Sequence, residues 1–103
     1  MTLPEYELAA ARTINPALTT RDQLLDATAG LAEEAGEALG LVRKHLLQGR
    51  PLEPARLSEE LGDALWCLTI AARCAGLTLE QVAQGNVSKL RARHPSGFGT
   101  AAQ

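Results

Sequence analysis

The chain has 103 residues, which suits one domain and is too short for two independent hydrophobic cores. Its apolar fraction of 46% is that of a folded globular chain, and its formal net charge of -2 gives no electrostatic reason to expect nucleic-acid or membrane-surface binding. No apolar stretch approaches the roughly 18 residues that a membrane span needs.

The N-terminal segment and the two cysteines bear on the cellular compartment. The segment lacks the apolar stretch of a secretory signal. Cys67 and Cys74 are seven positions apart, and on one helix this spacing separates them by about 10 Å along the axis, too far for a disulfide. We therefore expect a reduced, cytoplasmic protein in which both cysteines are small core residues.

The scarcity of aromatic residues indicates a core of leucine and alanine, the composition of packed helices. Pro4 opens a first predicted helix over residues 5–13. Asn15 precedes a proline, which disfavours helical geometry, so a loop begins there. Thr20 is the predicted N-cap of a long second helix over residues 21–48, which a Gly-Arg-Pro sequence ends.

The remaining predicted elements are also helical. A third helix is predicted over residues 54–75, with Gly76 as its stop. Thr78 and Gln81 form a capping box that opens a fourth helix, which runs to residue 92. No segment alternates with the period of a β-strand, and short turns join the long helices. The predicted fold class is therefore all-α, a bundle of four or five helices.

Three glutamates stand close together in the second helix, in the stretch "LAEEAGEALG" over residues 31–40. Glu33 and Glu37, like Asp26, lie opposite an apolar stripe, and taken alone they are typical of a solvated face. Glu34 lies off that line, on a side of the helix where another partner could pack. The apolar stripe consists of Leu24, Leu31, Ala35, Leu39, Val42 and Leu46.

A second acidic stretch, "LSEELGDALW", lies in the third helix. Glu60 and Asp63 share the side of Cys67, Ile70 and Cys74, a side that a helix bundle would bury. A carboxylate buried without a partner or a cation costs on the order of several kcal/mol. The alternative is that these acids are only stabilised by the positive end of the helix dipole. Asp63, however, is too far into the helix for that effect.

Carboxylates from the two helices could form one site. If Glu34 and Glu37 face Glu60 and Asp63 across an antiparallel pair, whose axes lie roughly 8–10 Å apart, all four reach a common centre. Oxygen donors without histidine or cysteine favour a hard cation, Mg²⁺ or Mn²⁺. The absence of a Glu-x-x-His sequence argues against a di-iron bundle.

The fourth helix carries a candidate phosphate-binding face. Asn86, Lys89 and Arg93 fall on one side of it, and beside an acidic metal site the two cations could hold phosphate groups. Basic residues in a last helical turn are also typical of compensation of the helix dipole. Trp66, three positions after Asp63, is either a core or interface residue or part of a base pocket.

Taken in order, these motifs resemble the MazG-type, all-α nucleoside triphosphate pyrophosphohydrolases. The family pattern E-E-x-x-E, followed about one helix later by E-x-x-D, is matched by the two acidic stretches. The segment "NVSKLRARHPSGF" is similar to the family's closing segment, so the resemblance spans about residues 6–98.

The resemblance implies Mg²⁺-dependent hydrolysis of a (deoxy)nucleoside triphosphate to the monophosphate and pyrophosphate, with house-cleaning of the nucleotide pool as the role. The magnesium ligands that it implies are Glu34, Glu37, Glu60 and Asp63. The substrate-binding residues that it implies are Asn86, Lys89 and Arg93, to which we add Trp66 for its position. Glu33 would either support the metal ligands indirectly or act as the base that activates water.

The resemblance also bears on domains and assembly. We expect one domain over residues 1–103, with an N-terminal helix and loop in 1–20, catalytic helices in 21–93 and a flexible tail in 94–103. The family forms dimers or dimers of dimers, so we expect helices to pack across a dimer interface and no nucleic-acid or membrane partner. The sequence leaves the base and the sugar open.

Two alternatives to a general nucleotide hydrolase stand beside this interpretation. One is phosphoribosyl-ATP pyrophosphohydrolase of histidine biosynthesis, which resembles this fold and uses the same chemistry. The other is a non-catalytic helical dimerisation module whose acidic residues are only surface charge.

Overall fold

The computed structural model describes residues 1–99 and consists of four helices joined by short loops. They are α1 (Leu3–Ala11), α2 (Thr20–Gln48), α3 (Pro54–Cys74) and α4 (Leu79–Arg93). No strand occurs within this part of the chain, which confirms the all-α prediction. No helix among the described residues combines the length and apolarity needed to cross a membrane.

The first helix begins and ends two residues earlier than the sequence predicts. The backbone N–H of Glu5 donates to Thr2 Oγ1 at 3.2 Å, and the Thr2 N–H donates to Glu5 Oε1 at 3.3 Å. This reciprocal capping box fixes the start at Leu3, ahead of the predicted helix over 5–13. The helix ends at Ala11.

The cap of α2 differs from the prediction by one residue. Thr19, not Thr20, is the N-cap, and its Oγ1 accepts a hydrogen bond from the Asp22 N–H at 3.1 Å. The predicted stop is confirmed: Gly49 takes the left-handed conformation with φ 68°, and its N–H donates to the carbonyl oxygen of Lys44.

The turn between α3 and α4 follows the predicted chemistry. Gly76 has φ 74°, which favours glycine, just after α3 ends at Cys74. The Gln81 N–H donates to Thr78 Oγ1 at 3.1 Å, and the Thr78 N–H donates to Gln81 Oε1 at 2.8 Å. The capping box that the sequence predicts is therefore present. Of the predicted tail, residues 94–99 contain no helix, and 100–103 lie outside the described residues.

The two long helices form the main packing unit. α2 and α3 are antiparallel neighbours, whereas α1 packs against α3 and α4. α4 contacts α1 and α3 but not α2. Ala10, Ala27 and Ile70 form the buried core where α1, α2 and α3 meet, and Tyr6 and Trp66 pack against it.

The side of α2 that faces α3 is not the predicted apolar stripe. Leu39 and Leu46, members of that stripe, are 66% and 70% exposed. The contact with α3 instead runs through small residues: Ala27 is buried, and a Cβ placed on Gly30 would lie 2.8 Å from Cys67 Sγ. Small side chains let the helix axes approach closely, which explains why this side and not the leucine stripe packs inward.

A single chain leaves much apolar surface uncovered. Its radius of gyration is 16.7 Å, whereas a compact chain of this length has about 13 Å. Large apolar side chains on all four helices remain exposed, among them Leu25, Leu47 and Leu61. Contiguous exposed apolar surface is typical of sites at which proteins bind one another.

Candidate metal centre

The register of the α2–α3 pair determines which side chains meet. Gln23 near the start of α2 lies opposite Cys74 at the end of α3, where Sγ and Oε1 are 3.9 Å apart. Further along, Gly30 lies against Cys67. Because the helices run in opposite directions, the next turns of α2 meet the N-terminal half of α3, where the second acidic stretch lies.

Three of the predicted metal ligands come together at this point. One carboxylate oxygen from each of Glu34, Glu37 and Glu60 lies within 4.8 Å of the other two. Glu34 and Glu60 are half-buried, whereas Glu37 is exposed. We call these three residues the carboxylate cluster. Three like charges this close repel one another unless protons or a cation neutralise them.

Like charge and burial within the cluster act on Glu34. Its pKa is raised from 4.5 to about 7, chiefly by a hydrogen bond with Glu60 that requires a proton, then by burial and by the negative charges of Asp63, Glu60 and Glu37. Oε2 of Glu34 is shut off from solvent, and no described group donates a hydrogen bond to it. That oxygen can be satisfied by a proton or by a cation.

A hard divalent cation fits these residues. The donors are carboxylate oxygens without nitrogen or sulfur, which is the set that Mg²⁺ and Mn²⁺ prefer. A cation would also neutralise the repulsion and give the buried Glu34 Oε2 a partner. The exposure of Glu37 leaves one side of the cluster open to a ligand.

Asp63 and Glu33 lie near the cluster but outside it. Asp63 is exposed and does not belong to the 4.8 Å group, although its negative charge helps to raise the pKa of Glu34. Glu33 is exposed on the neighbouring side of α2. Burial, followed by the charges of Glu34, Asp26, Asp63 and Glu33, raises the pKa of the Cys67 thiol. These acids surround Cys67 along the contact between α2 and α3, which we call the seam.

The structure does not bring the predicted phosphate-binding residues to the cluster within one chain. Asn86, Lys89 and Arg93 are exposed on α4, which does not contact α2. Asn86 lines a groove with Leu65. Leu65 is two positions from Cys67, so it lies on nearly the opposite side of α3 from the seam. Their role in substrate binding stays a prediction.

Trp66 has a structural contact and also borders a cavity. Its Nε1 donates to Thr13 Oγ1 at 2.7 Å and to the Ala10 carbonyl oxygen at 3.3 Å, which ties α3 to the end of α1. The ring packs against the core and lines a cavity of about 180 Å³. Asn15 and Asp26 line the same cavity. The sequence predicted neither residue there, because Asn15 belongs to a loop and Asp26 to a helix face that is typical of solvent exposure.

Comparison with known proteins agrees with this geometry. The family model of the MazG nucleotide pyrophosphohydrolase domain matches residues 23–98, a segment that contains α3, α4 and nearly all of α2. No curated protein and no solved structure matches the chain. The family match covers well over half of the sequence and includes the whole carboxylate cluster. The chain therefore belongs to the MazG nucleotide pyrophosphohydrolase family.

Proposed function

We propose that the protein is a Mg²⁺-dependent nucleoside triphosphate pyrophosphohydrolase that splits (d)NTP into (d)NMP and pyrophosphate. The observation that carries this proposal is the carboxylate cluster on the matched helices, in which the buried Glu34 Oε2 has no donor. House-cleaning of the nucleotide pool is the role that such a reaction suits.

In this proposal, residues of the seam have two roles, metal binding and proton transfer. Glu34, Glu37 and Glu60, together with Asp63, would hold the cation. When bound, Mg²⁺ neutralises phosphate charge and lowers the pKa of a coordinated water. Glu33, an exposed carboxylate next to the cluster but outside it, would either support the metal ligands indirectly or accept a proton from the attacking water.

The working form in this proposal is a homodimer or a dimer of dimers. Leucines exposed on both α2 and α3 supply apolar surface that a second copy would cover. Lys89 and Arg93 also need a second copy, since α4 lies away from the cluster of its own chain. From a partner they would stabilise the negative charge of the departing pyrophosphate.

A pyrophosphate-release assay tests the proposed activity. Normal and modified nucleoside triphosphates, with phosphoribosyl-ATP as a separate arm, are incubated with Mg²⁺, Mn²⁺ or EDTA. We expect pyrophosphate and the monophosphate with either metal and neither product in EDTA. Turnover confined to phosphoribosyl-ATP would transfer the proposal to histidine biosynthesis. No release from any substrate at high protein concentration would leave only a helical dimerisation module.

A further inference from the structure

The cavity beside Trp66 has polar groups that the fold itself does not use. Thr13 Oγ1 donates to the Ala10 carbonyl oxygen at 2.8 Å and accepts from Trp66, so its hydrogen bonds are made inside the protein. Gln23 Nε2 donates to the Leu18 carbonyl oxygen at 3.1 Å. Both wall residues therefore make hydrogen bonds within the protein that hold them in place.

Asn15 and Asp26 are different. Asn15 Oδ1 accepts from the Ala17 N–H at 3.0 Å, which orients the amide and leaves its NH₂ group without an acceptor among residues 1–99. The Asp26 carboxylate is exposed and accepts no hydrogen bond from any described group. The cavity thus offers one fixed donor and one charged acceptor.

The remaining walls suit a flat, aromatic ligand. Trp66 and Ile70 line the cavity on the α3 side. The hydrogen bonds from Nε1 hold the indole in place, so a ligand would meet an aromatic surface that is already oriented. Stacking of a nucleobase on an aromatic side chain contributes about 1–3 kcal/mol.

The cavity also lies beside the same two helices as the carboxylate cluster, a few turns away from it. Asp26 and Glu33 are on the same flank of α2, about 10 Å apart along the axis, and Glu37 follows one turn later. On α3, Trp66 lies one turn after Asp63. A nucleoside whose base sits beside Trp66 can therefore direct its phosphates along the seam towards the cluster.

Resting on the proposed function, we propose that this cavity binds the base of the nucleotide and selects bases with an exocyclic amino group. The Asp26 carboxylate accepts from the amino group, and the Asn15 amide donates to the neighbouring ring nitrogen or carbonyl oxygen. Uracil and thymine carry a carbonyl oxygen where cytosine carries the amino group, so they place an acceptor against the carboxylate.

The comparison of dCTP with dUTP tests the selection, because the two bases differ at that one group. We expect kcat/KM to be at least about tenfold higher for dCTP, and Asp26→Asn to bring the ratio close to one, since an amide can serve either base. Asp22→Asn, an exposed acid one turn earlier that does not line the cavity, is the matched control and keeps the wild-type ratio. Arms with dATP and dGTP show which amino-bearing base fits best.

Trp66 supplies a second readout that needs neither metal nor turnover, because it is the one tryptophan of the chain. Deoxycytidine, titrated in EDTA, should quench its fluorescence at lower concentration than deoxyuridine, and Asp26→Asn should remove the difference. Equal quenching by both nucleosides, or equal turnover of dCTP and dUTP, overturns the base-selection proposal while the hydrolase proposal stands. Selective quenching without turnover of any triphosphate supports the cavity assignment and removes the hydrolase proposal.

Discussion

Glu34 is the residue at which burial and like charge act together. Its carboxyl is half-buried beside Glu60 and Glu37, and its pKa is raised to about 7 because a proton shared with Glu60 and the low solvation of the site both favour the neutral form. In the metal-free protein, the protonated Glu34 stabilises the fold. Ionisation removes that contribution.

Stability of the metal-free protein should therefore fall as the pH rises through the pKa of Glu34. The contribution is complete below the unfolded value of 4.5 and is lost as the pH passes about 7. Glu34→Gln keeps a neutral side chain at every pH. The free energy of unfolding of the variant should therefore rise relative to that of the wild type as the pH increases over this range. Urea denaturation in EDTA at several pH values measures the difference, and Glu59→Gln, an exposed acid outside the cluster, is the control. A difference that does not change with pH would contradict this explanation.

At the scale of the helices, Gly30 determines how closely α2 approaches α3. A Cβ at this position would lie 2.8 Å from the sulfur of Cys67, which is 7% exposed and has little room to move. We expect Gly30→Ala to destabilise the protein by about 1–3 kcal/mol through overpacking, although alanine favours the helix by about 1 kcal/mol.

Gly36 provides the matched comparison, because a Cβ there meets nothing within 4 Å. Gly36→Ala should leave stability unchanged or raise it by up to about 1 kcal/mol. Urea unfolding of both variants measures the effect, and Cys67→Ala combined with Gly30→Ala should recover part of the loss. Equal stability of the two glycine variants would show that close approach at Gly30 is not required.

The helix ends were largely predictable because the signals that set them are local. The capping box of Thr78 and Gln81 and the left-handed Gly49 act within one turn of the sequence. The approach of Glu34 to Glu60 was also predictable, since two long consecutive helices joined by a short turn must pack antiparallel.

The packed side of α2 was not predictable from hydrophobicity alone. The apolar stripe that includes Leu39 is more hydrophobic than the small residues around Gly30. Only the small residues, however, permit the observed contact with Cys67. The cavity at Asn15 also escaped prediction, because it depends on how a loop folds over α3.

At the scale of the whole molecule, the proposed homodimer or dimer of dimers would cover apolar surface that the single chain exposes. The chain has a mass of 10.9 kDa, and light scattering after size-exclusion chromatography should give at least twice that value. A monomer at micromolar concentration would contradict the proposed assembly and, with it, a contribution of Lys89 and Arg93 from a partner.

Subunit mixing tests whether α4 serves the partner's cluster. Glu60→Gln and Lys89→Ala should each abolish turnover on their own. Because a mixed dimer combines both intact groups in one of its two sites, refolding the variants together should restore up to about a quarter of wild-type activity. Each variant refolded alone is the control. A mixture as inactive as its parents would place Lys89 in the site of its own chain. If Lys89→Ala keeps turnover on its own, Lys89 lies outside any site.

The metal dependence of pyrophosphate release in matched variants is the most direct test of the carboxylate cluster. We expect the wild type and Glu59→Gln to release pyrophosphate with Mg²⁺, and Glu60→Gln to lose at least about 100-fold in kcat/KM and to bind Mg²⁺ more weakly by calorimetry, with its helical circular dichroism retained. Full activity and unchanged Mg²⁺ binding in Glu60→Gln would contradict a metal site at Glu34, Glu37 and Glu60.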